Sequence, residues 1–279
     1  MKFKRFFRGL SDKLITYLII LIVSFVFFFP VLWLLLASFS ASGSIYSFNG
    51  FFPTSYSFTT FKMLFTDTLL YDYPQWFLNT LFISVMSMLF GTILVTLTAY
   101  VFSRFKFKSR KSLMKTTLVL GMFPSFMGMI AVYILMTQFN LINNHWGLIL
   151  IYSAGAPMGF MVQKGFFDTI PMSVDEAATL DGASKSRIFV DIILPLSKPM
   201  IVYTALTSFT WPWSDFILPQ LLLKQKNLYT VAVGLMSLGD DEFSRFAAGS
   251  LFIAVPIIIL YFALAKFLVA GLSAGAVKE

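Results

Sequence analysis

From about Leu14 to Phe39 the chain carries no charged side chain. About 20 consecutive apolar residues let a helix cross the hydrocarbon core of a bilayer, so this run predicts a membrane span. Five further apolar runs follow, at about 76–102, 113–138, 147–166, 200–223 and 246–268. The first run has a basic start, Lys2, Lys4, Arg5, Arg8 and Lys13, as a secretory signal does. It is too long for a signal's apolar stretch and is read as an uncleaved span, with Pro30 predicting a kink. Hydrophobic residues make up 58% of the chain and charged ones 12%, about half the charge frequency of soluble domains. The expectation is an all-α, polytopic membrane protein with six transmembrane helices. It divides into an N-terminal arm (1–13), one transmembrane domain (14–271) and a C-terminal tail (272–279), without repeats or flexible linkers.

Charge placement orients these spans. An inside amino terminus and six crossings put the arm, the basic stretch Arg104–Lys111 with Lys115, the loop after the fourth span and the tail on one side. Of the 21 Lys and Arg, only Lys62, Lys224, Lys226 and Arg245 fall on the other side. The positive-inside rule makes the basic side cytosolic. A net charge of +8 therefore reflects orientation rather than nucleic-acid binding. The first outer loop, 40–75, predicts a short helix over 58–65. Gly121, Pro124 and Gly128 interrupt the third span, and a second outer loop carries Asp240, Asp241, Glu242 and Arg245.

The longest charged interval between apolar runs is 171–199, PMSVDEAATLDGASKSRIFVDIILPLSKP. It reads as two short helices and a turn. Ser173 and Glu176 have the spacing of a capping box. Gly182 stands where a left-handed C-terminal cap favours a residue without Cβ. Ser184 caps a second helix, which Pro195 is expected to end. An ordinary cytosolic helix-turn-helix linker would share this outline.

The spacing of Glu176, Ala177, Ala178, Gly182, Ile192, Leu194 and Pro195 resembles the cytoplasmic EAA loop of ATP-binding-cassette importer permeases. AYVFSRFKF (99–107), MFPSFMGMIAVY (122–133), LINNHWGLILIY (141–152), KGFFDTIP (164–171) and the final GLSAGAVKE resemble the carbohydrate-uptake, maltose/maltodextrin-type (MalG-like) branch. The resemblance implies that Asp175, Glu176, Ala177, Ala178, Leu180, Asp181, Gly182, Ala183, Ile192, Leu194 and Pro195 form the ATPase-coupling surface. It further implies that Gly275, Ala276, Val277 and Lys278 reach between the ATPases. The implied partners are a second, MalF-like permease subunit, two cytosolic ATPase subunits that hold ATP and magnesium, and an extracellular sugar-binding protein, all at the bacterial cytoplasmic membrane. Permeases of the same family for raffinose-type, multiple-sugar, glycerol-phosphate or uronate substrates remain alternatives.

Chemistry of the chain's own is sparse. There are no cysteines and one histidine, His145, so neither thiolate chemistry nor a His/Cys metal site is expected. No G-x-x-x-x-G-K-[ST] occurs, so ATP must be handled by another subunit. No catalytic constellation suggests an intramembrane enzyme. Asp215, in TWPWSDF of the fifth span, is the clearest ionisable group within a span, and such a group marks a pathway. Trp211 and Trp213 could offer flat faces to sugar rings beside it. Equally, the three could sit at the outer interface as part of an aromatic belt. One carboxylate is thin material for the ion relay of a stand-alone secondary sugar carrier.

Overall fold

A computed structural model describes residues 2–69, 71–154 and 157–276. They fall into two compact units, each assembled from two stretches of chain: Met1–Tyr71 with Ser237–Phe252, and Asp72–Met236 with Ile253–Glu279.

The first unit begins with α1, Lys2–Ser38, which runs through Pro30 without interruption. Its side chains from Lys13 to Leu32 are all exposed. A helix that is apolar all round and uncovered by its own chain is the form expected of a membrane span. A two-stranded hairpin follows, β1 (Phe48–Asn49) and β2 (Phe52–Pro53), paired antiparallel with Phe48 opposite Pro53. The hairpin carbonyl of Phe51 accepts from Trp33 Nε1 at 2.8 Å, which fixes the loop to α1. The expected short helix is present as α2, Thr59–Thr66. The second stretch supplies a 3₁₀ turn, Asp240–Glu242, and residues 243–252 of the last helix.

Arg245 holds this unit together. Its guanidinium meets Asp67 Oδ2 and Glu242 Oε2 at 3.1 Å each and lies 5.0 Å from the Tyr71 ring centroid. Two carboxylates and an aromatic face compensate a charge that is almost fully buried. Tyr46 donates to Asp240 at 2.7 Å, and that hydrogen bond raises the phenol above its ordinary pKa.

The second unit is organised around α3, Tyr73–Arg104. Asp72 caps it by accepting from Gln75 N, with Pro74 in its first turn, where a missing N–H costs nothing. Around it lie α4 (Arg110–Gly121), α5 (Met129–Gln138), α6 (His145–Ala154) and α7 (Pro157–Thr169). Then come α8 (Met172–Leu180), α9 (Lys185–Ile188), a π turn (Phe189–Ile193) and α10 (Leu194–Leu196). The unit continues with α11 (Lys198–Ser214), α12 (Ile217–Leu222) and α13 (Val231–Met236). The last helix, α14, is Phe243–Ala276.

Two apolar clusters sit at opposite ends of α3. Ile83, Met136, Leu148, Ile149, Leu218, Leu222 and Leu223 form one; Val95, Ala99, Tyr100, Phe160, Phe167, Ala178, Ile188 and Ile193 form the other. Next to the second cluster, buried Gln163 donates to Thr96 and accepts from Thr204, each at 2.9 Å, tying α3, α7 and α11 through one side chain. Near the first, α13 presses so closely on α3 that a Cβ on Gly234 would stand 2.0 Å from Trp76 Cε3. The loop before α13 is held by its backbone. Trp76 Nε1 donates to Lys226 O, Asn79 Nδ2 to the carbonyls of Asn227 and Tyr229, and Val231 N to Thr80 Oγ1.

Among the described residues four helices are long and apolar enough to cross a membrane, and two bent pairs bring the number to six. The third expected span is one such pair, Arg110–Gly121 and Phe126–Gln138, meeting at 98°. Pro124 at the corner supplies no donor to a continuing helix. The fifth expected span is shorter than 200–223. It ends at Ser214, because Asp215 turns extended (ψ 120°) and its carboxylate accepts from Leu218 N at 3.3 Å, opening α12 as a separate helix. The other bend, 79°, lies between Leu196 and Lys198.

Candidate functional site

The interval between α7 and α11 folds as two helices at a sharp corner, but not with every expected cap. α8 begins two residues earlier than a Ser173 cap requires. Pro171 is the N-cap, and Ser173 lies inside the helix without a capping bond. Proline's fixed φ and its available carbonyl, which accepts from Val174 N at 3.2 Å, serve instead.

The C-terminal corner follows expectation. Gly182 adopts φ +82°. Its N–H reaches Thr179 O at 3.0 Å, and the N–H of Ala183 reaches Ala178 O at 2.9 Å. This pair of bonds is a Schellman motif, which satisfies the orphan carbonyls at the helix end. Ser184 then caps α9 by accepting from Arg187 N.

Pro195 does not end this second helix. The chain widens into the π turn, where Leu194 N bonds to Phe189 O, and passes through Pro195 to Ser197. The wider turn makes room for a ring that would otherwise meet the carbonyl four residues back.

Helical spacing sorts the expected coupling residues into two faces. Glu176, Ala177 and Leu180 point outward, and Leu180 is 89% exposed. Asp181 and Gly182 extend this exposed tip. Asp175 and Ala178 point the other way and are buried, so neither is available to a partner, contrary to the sequence expectation. Ala183, Ile192 and Leu194 are half-buried and Pro195 is exposed. Ala183 and Ile192 pack against the cluster made by α3, α7 and the π turn.

Asp175 is an anchor. Its Oδ2 lies 3.3 Å from Arg104 Nε, with the two side chains only 5% and 6% exposed. The contact is ionic without hydrogen-bond alignment, as neither atom has a hydrogen-bond partner. The same guanidinium donates from Nη2 to Ile170 O at 3.1 Å and from Nη1 to Met172 Sδ at 3.3 Å. Arg104 therefore fastens the end of α3 to both the entry and the body of α8. Beside it Asp168 accepts from Ser103 Oγ at 2.7 Å and from Lys164 Nζ at 2.5 Å. Tyr100 packs against Phe189 with the rings tilted by 37° and their centroids 4.4 Å apart. Sequence reasoning placed Arg104 only in a basic run. Its position as the last residue of a long helix is the one local sign of a different task.

The proposed pathway trio separates. Trp213 is 1% exposed and packs against Phe77 and Phe209, so its ring has no face free for a sugar. Trp211, two residues away on the helix, is 62% exposed. Asp215 is half-buried and engaged: Oδ1 caps α12 and Oδ2 accepts from Tyr152 OH at 2.9 Å. Gly275 and Ala276 end α14, whereas Val277 and Lys278 lie outside the described residues. Among the described residues no group of His, Cys, Asp and Glu could hold a metal ion.

Residues 98–274 match the family described as binding-protein-dependent transport system inner membrane component. The galactooligosaccharides transport system permease protein GanQ of Bacillus subtilis (strain 168) is 40% identical, over 100% of this chain and 98% of that protein. The maltodextrin transport system permease protein MalD of Streptococcus pneumoniae is 39% identical, over 97% of each. In fold the chain is similar to a chain of a bacterial ABC transporter involved in the import of the acidic polysaccharide alginate. That likeness has a TM-score of 0.75 and 20% identity over 91% of this chain and 95% of that one. With the elbow between α8 and α9 inside the matched region, the chain belongs to the binding-protein-dependent transport system inner membrane components.

Proposed function

We propose that this chain is one permease subunit of an ATP-driven importer for neutral oligosaccharides of the maltodextrin or galactooligosaccharide kind. It has no nucleotide site of its own. Two cytosolic ATPase subunits hold ATP and magnesium, a second, MalF-like permease subunit completes the pathway, and an extracellular binding protein delivers the sugar. Both termini face the cytosol, and the tail residues 275–278 are a contact for the ATPases.

The observation that carries this reading is the α8 elbow. It presents Glu176, Ala177 and Leu180 outward while its other face is held by Arg104 and Asp175. A small residue at 177 lets a partner's cleft close on the helix backbone, Leu180 supplies an apolar knob, and Glu176 supplies a charge for pairing. When ATP draws the ATPases together, their clefts carry α8, and the anchored α3 moves with it. Taking the outward state from 1% to 99% requires about 5.5 kcal/mol of differential binding. A loosely held elbow would dissipate it.

The test uses the absence of cysteines. A single cysteine at Ala177 should crosslink to the co-purified ATPase, and proteoliposomes carrying the four-subunit complex and the binding protein should take up maltotriose or galactotriose only with ATP. An elbow that captures no nucleotide-hydrolysing subunit sinks the proposal.

A further inference from the structure

Most surface of the spans in the second unit is hydrocarbon. The exposed residues of α3 beyond its first turn are Leu78, Phe82, Leu89, Phe90, Ile93, Leu94, Leu97 and Val101, a surface suited to lipid tails. α11 differs. After Lys198 its exposed residues are Tyr203, Thr207, Trp211 and Ser214, and none is aliphatic. Spacings of four, four and three put them on one stripe of the helix. Phe209, Pro212 and Trp213 occupy the other side of the helix and are buried, and buried Thr204 flanks the stripe.

Thr207 stands roughly 10 Å or more from either end of α11 at 1.5 Å per residue, so an interfacial belt does not account for the stripe. The hydroxyl donors of Thr207 and Ser214 are already used. Thr207 Oγ1 donates to the carbonyls of Tyr203 and Thr204 at 3.0 Å each, and Ser214 Oγ donates to Trp211 O at 3.1 Å. What these oxygens still offer are acceptor lone pairs. Tyr203 and Trp211 add two exposed rings, and the stripe carries no charge.

We infer that the Tyr203–Thr207–Trp211–Ser214 face of α11 lines the aqueous translocation pathway and presents acceptor oxygens and aromatic faces to a neutral, hydroxyl-rich substrate. Sugar hydroxyls donate to Thr207 and Ser214, and the C–H faces of the pyranose slide over Trp211 and Tyr203. An uncharged lining binds weakly at several successive places, which suits passage rather than retention. The identity of the ligand rests on the carbohydrate reading above; the wetness of the face does not.

The experiment introduces single cysteines at Thr207 and Ser214, with the exposed Ile93 and Leu97 of α3 as lipid-facing references. The assembled importer in proteoliposomes is treated with a membrane-impermeant cationic methanethiosulfonate. Thr207→Cys and Ser214→Cys should react at least about tenfold faster than Leu97→Cys, and maltotriose or galactotriose supplied with binding protein and ATP should slow them. Trp211→Leu should raise the KM for uptake about tenfold with kcat little changed, and Trp211→Phe should restore most of it. Reaction at Thr207 no faster than at Leu97 means that lipid or a partner helix covers the face, and overturns its placement whatever the sugar. Equal KM values for Trp211→Leu and Trp211→Phe overturn the stacking role. Uptake of neither sugar by the unmodified importer overturns the carbohydrate reading, and the ligand assignment with it.

Discussion

Gly182 holds φ +82° with nothing within 4 Å of where a Cβ would stand, so substitution there is a conformational question and not one of space. A branched side chain in the left-handed region costs about 1–2 kcal/mol, and asparagine costs less. Gly182→Leu should therefore reduce ATP-coupled uptake while leaving membrane insertion intact, and Gly182→Asn should recover much of it; the ratio of sugar moved to ATP hydrolysed reads both. This glycine was legible because its cap is local and its spacing from Glu176 is fixed. The pairing of Arg104 with Asp175 was not, since nothing in a basic run marks one member as buried against a distant carboxylate. Removing one partner of such a pair typically costs about 3–5 kcal/mol, whereas removing both can be nearly neutral. Thermal unfolding of the purified chain should show Arg104→Met strongly destabilised and Arg104→Met/Asp175→Leu largely restored.

The elements were legible where hydrophobic length decides and less so where a single polar group does. Six apolar runs were readable, but the run 200–223 concealed a break. Only the bond from Leu218 N to Asp215 shows that this carboxylate starts a new helix. Ser173 has the spacing of a cap, yet Pro171 takes that position because its backbone is already committed. Likewise the π turn before Pro195 answers a ring clash that a pattern of apolar residues does not display. Contact between α3 and α13 gives a prediction at this scale. With Trp76 so close to Gly234, Gly234→Ala must displace the short helix or the indole and should cost about 1–3 kcal/mol. In a Trp76→Leu background the same change should cost much less, a non-additivity that a double-mutant cycle of thermal stabilities measures.

For the molecule as a whole, the charge distribution and the proposed docking make one demand on sidedness. In intact cells an impermeant thiol reagent should modify a cysteine at Tyr46 but reach one at Leu180 only after permeabilisation. The opposite pattern would invert the topology and remove the elbow from any cytosolic ATPase. The two compact units draw on the chain unequally. The second is nearly continuous, but the first closes on itself only through residues 237–252. Arg245 lies 178 positions after Asp67, the carboxylate it neutralises. At ribosomal speeds of about 5–20 residues per second, α1 and α2 wait roughly ten seconds or more for it. Throughout that interval α1 stands in the membrane while the outer loop that carries α2 keeps Asp67 without its cation and its aromatic rings uncovered, so nascent chains stalled before residue 245 should be more open to insertion factors and quality-control proteases than the finished chain.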